Sequence, residues 1–369
     1  MERTGSGLRE ALLTDAKTGL EAFRERINPL LREHFDTVIH ETAREDELVA
    51  GALTEVRDII LAGGKRLRAA FMCAGYFAAG GTDEERILSA SMSIELTHAF
   101  LLVHDDVIDR DDLRHGRPSL HAQYARFGQT VFPRAEDAAH FGDSIAIILG
   151  DMVAALGNDL IFRSGFPNER IFRALSELQR IVSYTVIGQA MDLSFEFRKD
   201  IGREDVLRMY EYKTAKYTVE GPLTLGALLA GGDEELIASL GRFAVPTGIA
   251  FQIRDDILGA FGTEKKLGKP VGSDVEEGKR TLPVLFALER LEQDGRAELM
   301  RILDAGSLGK GDLERFRQML RDSGALDSST DSMVQLVEEA KRSITSADVP
   351  DDAKGFLVSV ADYISERNF

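Results

Sequence analysis

A single cysteine, Cys73, stands in 369 residues. That excludes an intrachain disulfide and a thiolate metal centre, and it fits a reducing compartment. Positive charge is also scarce: 45 Lys and Arg face 62 Asp and Glu, a net charge of −17. Such a chain is a poor general partner for nucleic acid or an anionic membrane surface; a small anion could bind only where local cations or metal ions overcome the background. Uninterrupted hydrophobic runs are missing too. The longest, residues 145–162, is broken by Asp151, Asn158 and Asp159 and reads as a core helix, not a membrane span. The first twenty residues scatter charges among apolar positions, unlike a signal peptide. Together these absences predict a soluble cytoplasmic protein.

No alternating, strand-like segment and no internal repeat occurs. Ala, Leu, Glu and Arg dominate instead, with apolar residues recurring at three- and four-residue intervals. Only nine prolines are present, several of them at breaks: Pro118, Pro133, Pro167, Pro270 and Pro283. Loop signals fall at residues 62–64, 79–82, 114–118, 133–141, 231–233, 263–278 and 306–311. At 44% hydrophobic residues the chain can bury a sizeable core. The expected fold is all-α, a single large helical bundle over residues 1–369. Residues 1–15 read as a loose N-terminal extension, and 133–141 (PRAEDAAHF) as a surface insertion.

What is abundant is carboxylate, in one place. LLVHDDVIDRDDLRHGRPS, residues 101–119, holds five aspartates within eight residues and follows them with Arg114, His115 and Arg117. Like charges this close repel when dry, so the segment is either a solvated surface or a seat for cations. In a helix Asp105 and Asp109 share a face, with Asp106 beside them. Mg²⁺ takes hard oxygen ligands, keeps several waters, and is held by a few carboxylates plus substrate phosphates. A second pair, Asp255 and Asp256, lies in FQIRDDILGAFG, after Gln252 and before the glycine-rich KKLGKPVGSDVEEGKRTLP. Apolar residues precede both pairs, so both helices are expected to turn these acids toward an interior cavity, tolerable there only with cations. GGKRLR, residues 63–68, sets Lys65 and Arg68 at a helix start behind two glycines, a setting that suits phosphate. Arg114, Lys213 of YKTAKY and Lys269 add further cations. An isolated DxxxD, or any one of these cations, is ordinarily surface charge. The combination is the signal.

GGKRLR, HDDVIDRDDLRHGRPS, GQAMDL, YKT and FQIRDDILGAFG with GKPVGSD, in that order, resemble the trans-isoprenyl diphosphate synthases, or polyprenyl synthetases. The motifs span about residues 52–283. The resemblance implies the isoprenoid synthase bundle around a central active-site cavity, and a homodimer. It implies a Mg²⁺-dependent prenyltransferase that condenses an allylic diphosphate head-to-tail with isopentenyl diphosphate. By the same resemblance Asp105, Asp109 and Asp255 ligate Mg²⁺, three ions with substrate bound, and Asp106 and Asp256 support them. Arg114, Lys213 and Lys269 hold the allylic diphosphate. Lys65, Arg68, His98 and His115 hold isopentenyl diphosphate. Thr214 and Gln252 stabilise the developing positive charge through their oxygens, Lys213 joins them as a catalytic residue, and Gln189 and Asp192 complete the polar floor.

Two positions depart from the family pattern. His115 stands where a second arginine is usual; a neutral imidazole gives one hydrogen bond but no bidentate charge, so weaker binding of isopentenyl diphosphate is expected, with activity retained. Gly259 stands where the second motif often has a third aspartate, which affects only an outer contribution. DDVIDRD fits both DDxxD and a longer form. In the family five steps separate the last motif aspartate from the first arginine, and counting back from Arg114 gives Asp109, the short form. The prenyl tail should then run toward the residues before Asp105. Phe100, five positions earlier, lies roughly 7 Å deeper along the axis, with Leu101 beside it. An aromatic there resembles the geranylgeranyl (C20) arrangement, with farnesyl (C15) or longer products as alternatives.

Three rival readings fit the sequence less well. A class I terpene cyclase would carry an Asn/Ser/Glu metal triad in the later helix, where this chain has DDILG. A non-catalytic subunit of a heteromeric synthase would lack the aspartates. A di-iron bundle needs two Glu-x-x-His motifs, and only ELTH, Glu95 to His98, is present. His104 and His121 read as packing or hydrogen-bonding residues rather than ligands.

Overall fold

Helices make up most of the computed structural model, which describes residues 7–114, 116–198, 200–262 and 272–366. It divides into two compact units, Met1–Cys73 with Gly81–Leu175, and Ala74–Gly80 with Ser176–Phe369.

The first unit is built from α1 (Leu8–Leu12), α2 (Ala16–Thr42), α3 (Glu47–Ala62), the start of α4 (Leu67–Ala78), α5 (Glu84–Ile108), α6 (Leu120–Gly128) and α7 (Ala135–Phe162). Aspartates set several starts: Asp15, Asp46 and Asp83 each accept hydrogen bonds from backbone N–H groups of the first turn. α5 is the hub. It buries residues on every side, from Ile87 to Asp106, as a helix does when neighbours surround it. Its closest companion is α7. Gly150 and Gly157 of α7 make that approach possible: a Cβ at Gly150 would sit 2.2 Å from the His104 ring nitrogen, and one at Gly157 would sit 3.1 Å from the Ser93 carbonyl.

One sequence expectation changes here. Residues 8–12 are not loose: Leu8 and Leu12 are buried, and Glu84 accepts the N–H groups of Leu8 and Arg9 at 2.5 and 3.2 Å. The carboxylate that Glu84 places at the start of α5 also fixes α1. The 133–141 segment lies mostly at the surface, exposed at Pro133, Arg134, Ala135, Glu136, Ala139 and His140; from Ala135 it forms the first turns of α7, with Ala138 buried and Phe141 packed among Tyr124, Phe127 and Phe132.

The second unit contains most of α8 (Asn168–Phe195), α9 (Arg203–Tyr210), a π-helical segment (Glu211–Glu220), α10 (Gly221–Ala230) and α11 (Glu234–Phe261). After the second acidic motif come α12 (Ser273–Glu276), α13 (Leu282–Arg290), α14 (Gln293–Leu303), α15 (Asp312–Asp322), α16 (Ala325–Thr345) and α17 (Asp351–Glu366). α11 packs on α16 and on the π segment. By length and composition α5, α7 and α11 could each cross a bilayer, but α5 and α11 carry the acidic pairs near their C-terminal ends.

Candidate active site

Helix periodicity decides what each carboxylate of the first motif can do. Asp109 caps α5, and its N–H donates to the Asp105 carbonyl at 2.8 Å, so the two side chains lie one turn apart on a shared face, both half-buried. Asp106 points the other way. It is 3% exposed, and Arg114 donates to its Oδ1 from Nε at 2.8 Å and also from Nη2. Burial pushes the Asp106 carboxyl up to about 6, against the opposing pull of Arg114. Arg114 is held by a two-stranded ribbon, β1 (Leu113–Arg114) and β2 (Arg117–Pro118), in which it pairs with Arg117. Its guanidinium also reaches Asp111 at 3.4 Å. The residue expected to hold the allylic diphosphate thus rests on two carboxylates of the same motif.

The second motif repeats the division. Asp255 is half-buried, while Asp256 is 8% exposed and fully engaged: Tyr210 donates its hydroxyl to Oδ2, and Gln252 donates its amide to Oδ1 at 2.8 Å. The chain of bonds continues both ways. Leu282 N–H donates to the Tyr210 oxygen at 2.8 Å, and Thr214 donates its hydroxyl to Gln252 Oε1 at 2.6 Å. Burial pushes the Asp256 carboxyl up to about 8, and the Tyr210 phenol well above its ordinary value. Lys213 donates to Asp192 at 2.5 Å. Gln189, on the same helix as Asp192, has a buried amide nitrogen with no hydrogen-bond partner among the described residues.

Lys213 and Thr214 sit on the π-helical segment, a wider coil that shifts side-chain register and recurs at functional sites. It is pinched on two sides. A Cβ on Gly188 of α8 would fall 2.3 Å from the Lys213 nitrogen, and one on Gly248 of α11 would fall 2.4 Å from the Ala215 Cα.

In the first unit Lys65 is exposed and Arg68 half-buried, with His98 half-buried on α5. Phe100 is 9% exposed and meets His104 edge-on, ring centroids 5.8 Å apart; Leu101 is half-buried. His115 and Lys269 lie outside the described residues.

Among the described residues no three His, Cys, Asp or Glu side chains converge as a ready-made metal cage. The donor set nevertheless fits Mg²⁺, which needs only a few hard oxygens and completes its shell with water and phosphate. Sequence reasoning missed Tyr210 and Asp274. The Asp274 carboxylate lies 2.6 Å from where a Cβ on Gly259 would be, so it fills space that a third motif aspartate would need.

Residues 51–320 match the family model for polyprenyl synthetase. The chain belongs to the polyprenyl synthetase family. It is 35% identical over 314 residues to a geranylfarnesyl diphosphate synthase of Aeropyrum pernix, covering 84% of this chain and 92% of the relative. It is 34% identical over 333 residues to a geranylgeranyl pyrophosphate synthase of Geoglobus acetivorans, covering 89% and 95%. The geranylgeranyl pyrophosphate synthase of Corynebacterium glutamicum, solved with isoprenyl diphosphate and magnesium, superposes with a TM-score of 0.89 at 31% identity, covering 95% and 99%. This polyprenyl synthetase is therefore an all-α trans-prenyltransferase acting on small isoprenyl diphosphates, a short-chain isoprenyl diphosphate synthase of a Mg²⁺-dependent family.

Proposed function

We propose that this enzyme makes geranylgeranyl diphosphate, and that its two units serve one catalytic domain. Asp105, Asp109 and Asp255 are the Mg²⁺ ligands, for three ions in the substrate-bound state. The supporting observation is the shared division of labour in the two motifs. In each, one aspartate is buried and satisfied by protein donors, Asp106 by Arg114 and Asp256 by Tyr210 and Gln252, while its neighbour stays accessible.

Bound Mg²⁺ would neutralise charge on the departing diphosphate. Lys213, Arg114 and Lys269 hold the allylic diphosphate as its C–O bond breaks, while Gln189 and Asp192 complete the polar floor. Thr214 and Gln252 direct oxygen dipoles at the carbocation, and the apolar wall keeps water from quenching it. Lys65, Arg68, His98 and His115 hold isopentenyl diphosphate, whose alkene attacks the cation; loss of a proton then restores the double bond. Replacing Asp105 or Asp255 by Ala should cut kcat by at least about a thousandfold, with the fold intact by circular dichroism. Near-wild-type turnover in either variant would remove it from the metal site.

For product length, Phe100 is buried on the helix that carries Asp105, five residues back. Phe100→Ala should shift the product beyond C20, read by mass spectrometry of the dephosphorylated alcohols. An unchanged distribution dismisses Phe100 as the tunnel floor. The 35% identity to a geranylfarnesyl diphosphate synthase favours a second reading, C25, which the same analysis of the unmodified enzyme decides.

We also propose a cytoplasmic homodimer. The apolar stretch of α7 is largely uncovered, and Ile147, Ile148 and Phe162 stand 48, 57 and 57% exposed along that helix. A second copy is the partner that would cover them.

A further inference from the structure

Glu95 belongs to the ELTH motif whose metal reading failed for want of a second copy, and its carboxylate is 4% exposed. What it does instead is visible in its bonds. One oxygen accepts the Ala69 N–H at 3.1 Å, in the first turn of α4; the other accepts from Arg66 Nη1 at 3.3 Å. Arg66 is itself 5% exposed and has φ +57, a backbone region that residues other than glycine avoid unless their surroundings hold them there. Three elements hold it. Nε donates to Asn28 Oδ1 on α2 at 2.8 Å, Nη2 to the Ile60 carbonyl on α3 at 2.7 Å, and Nη1 to Glu95 on α5. Two residues earlier Gly64 has φ +86. The chain is thus twisted so that Arg66 faces in while Lys65, next to it, faces out.

We infer that Glu95 and Arg66 are positioning residues that clamp the GGKRLR turn, fixing Lys65 and Arg68 where they receive the diphosphate of isopentenyl diphosphate. This rests on the substrate assignment of Lys65 and Arg68 made above. The physical reason is that two flexible glycines and a helix end would otherwise let both cations wander, and a flexible cation loses entropy on every binding event. A buried ion pair that also caps α4 removes that freedom in advance. Glu95 touches neither substrate in this role; it acts through Arg66 and the α4 backbone.

The test compares steady-state kinetics and thermal melting in four variants of the full-length enzyme. Lys65→Ala and Arg68→Ala examine the underlying assignment and should each raise KM for isopentenyl diphosphate by about tenfold or more. Glu95→Gln keeps an acceptor for the Ala69 N–H but loses the charge facing Arg66. It should raise KM for isopentenyl diphosphate about tenfold while KM for the allylic diphosphate stays within about twofold. Because a lone buried guanidinium can itself unfold a protein, Glu95→Gln combined with Arg66→Gln removes both charges. That pair should melt near the parent temperature yet keep the raised KM. If the lysine and arginine variants raise KM and the two Glu95 variants do not, the clamp is wrong and the substrate assignment stands. If none raises it, both are wrong. If the Glu95 variants raise both KM values equally, the network serves stability alone and the inference also fails.

Discussion

Cys73 lies on α4 without exposure, and burial pushes its thiol up to about 12, against a smaller downward pull from its hydrogen bond with Ser91. Thiolate is the reactive form, so the native enzyme should be inert to a disulfide reagent at about pH 8 and release one thiol per chain in denaturant. Stoichiometric labelling of the folded protein within minutes would contradict this. At the same scale, the sequence disclosed the aspartates by local arithmetic: Asp105 and Asp109 are four apart, and the helix puts them on one face. It did not disclose which acids are spoken for. Asp256 is satisfied by Tyr210, 46 residues away, and Glu95 by Arg66, 29 residues away. No spacing rule reaches that far. Only folding decides which carboxylate of a pair turns inward.

Element boundaries were mostly legible because glycine, proline and aspartate mark them. Gly231 ends α10 at φ +90, and Asp233 caps α11 two residues on. The π-helical segment was not legible, since EYKTAKYTVE carries an ordinary helical pattern and its widening depends on what neighbouring helices allow. Gly188 and Gly248 are those allowances. Gly188→Ala should cost about 1–3 kcal/mol of stability and lower kcat about tenfold by displacing Lys213 and Thr214. Gly241→Ala, on α11 with nothing nearer than 3.8 Å to the new methyl, should be neutral or stabilise by up to about 1 kcal/mol. Denaturant melts and turnover numbers check both. Equal effects at the two positions would mean that the pinch on the π segment is unimportant.

For the molecule as a whole, composition spoke plainly: helical periodicity and scattered breaks announced an all-α chain, and the order of five motifs announced the chemistry. The small ribbon around Arg114 escaped notice because two-residue strands leave no alternating pattern. The apolar stretch of α7 has the pattern of a core helix, yet much of it faces outward. If the enzyme is the homodimer proposed above, replacing both Ile147 and Ile148 by Asp should convert it to monomer, measured by sedimentation velocity, because charge cannot be buried across a subunit contact without a partner. An unchanged sedimentation coefficient would point to another surface.

Phe100 and Asp105 share one continuous helix with no proline or glycine between them. On the proposed reading, the gauge that measures the growing chain would be machined into a single rigid rod, with its zero mark and its stop cut from the same piece. Loosening of surrounding parts can slow such an enzyme without blurring its product. On that reading, a change of product length requires recutting the stop itself.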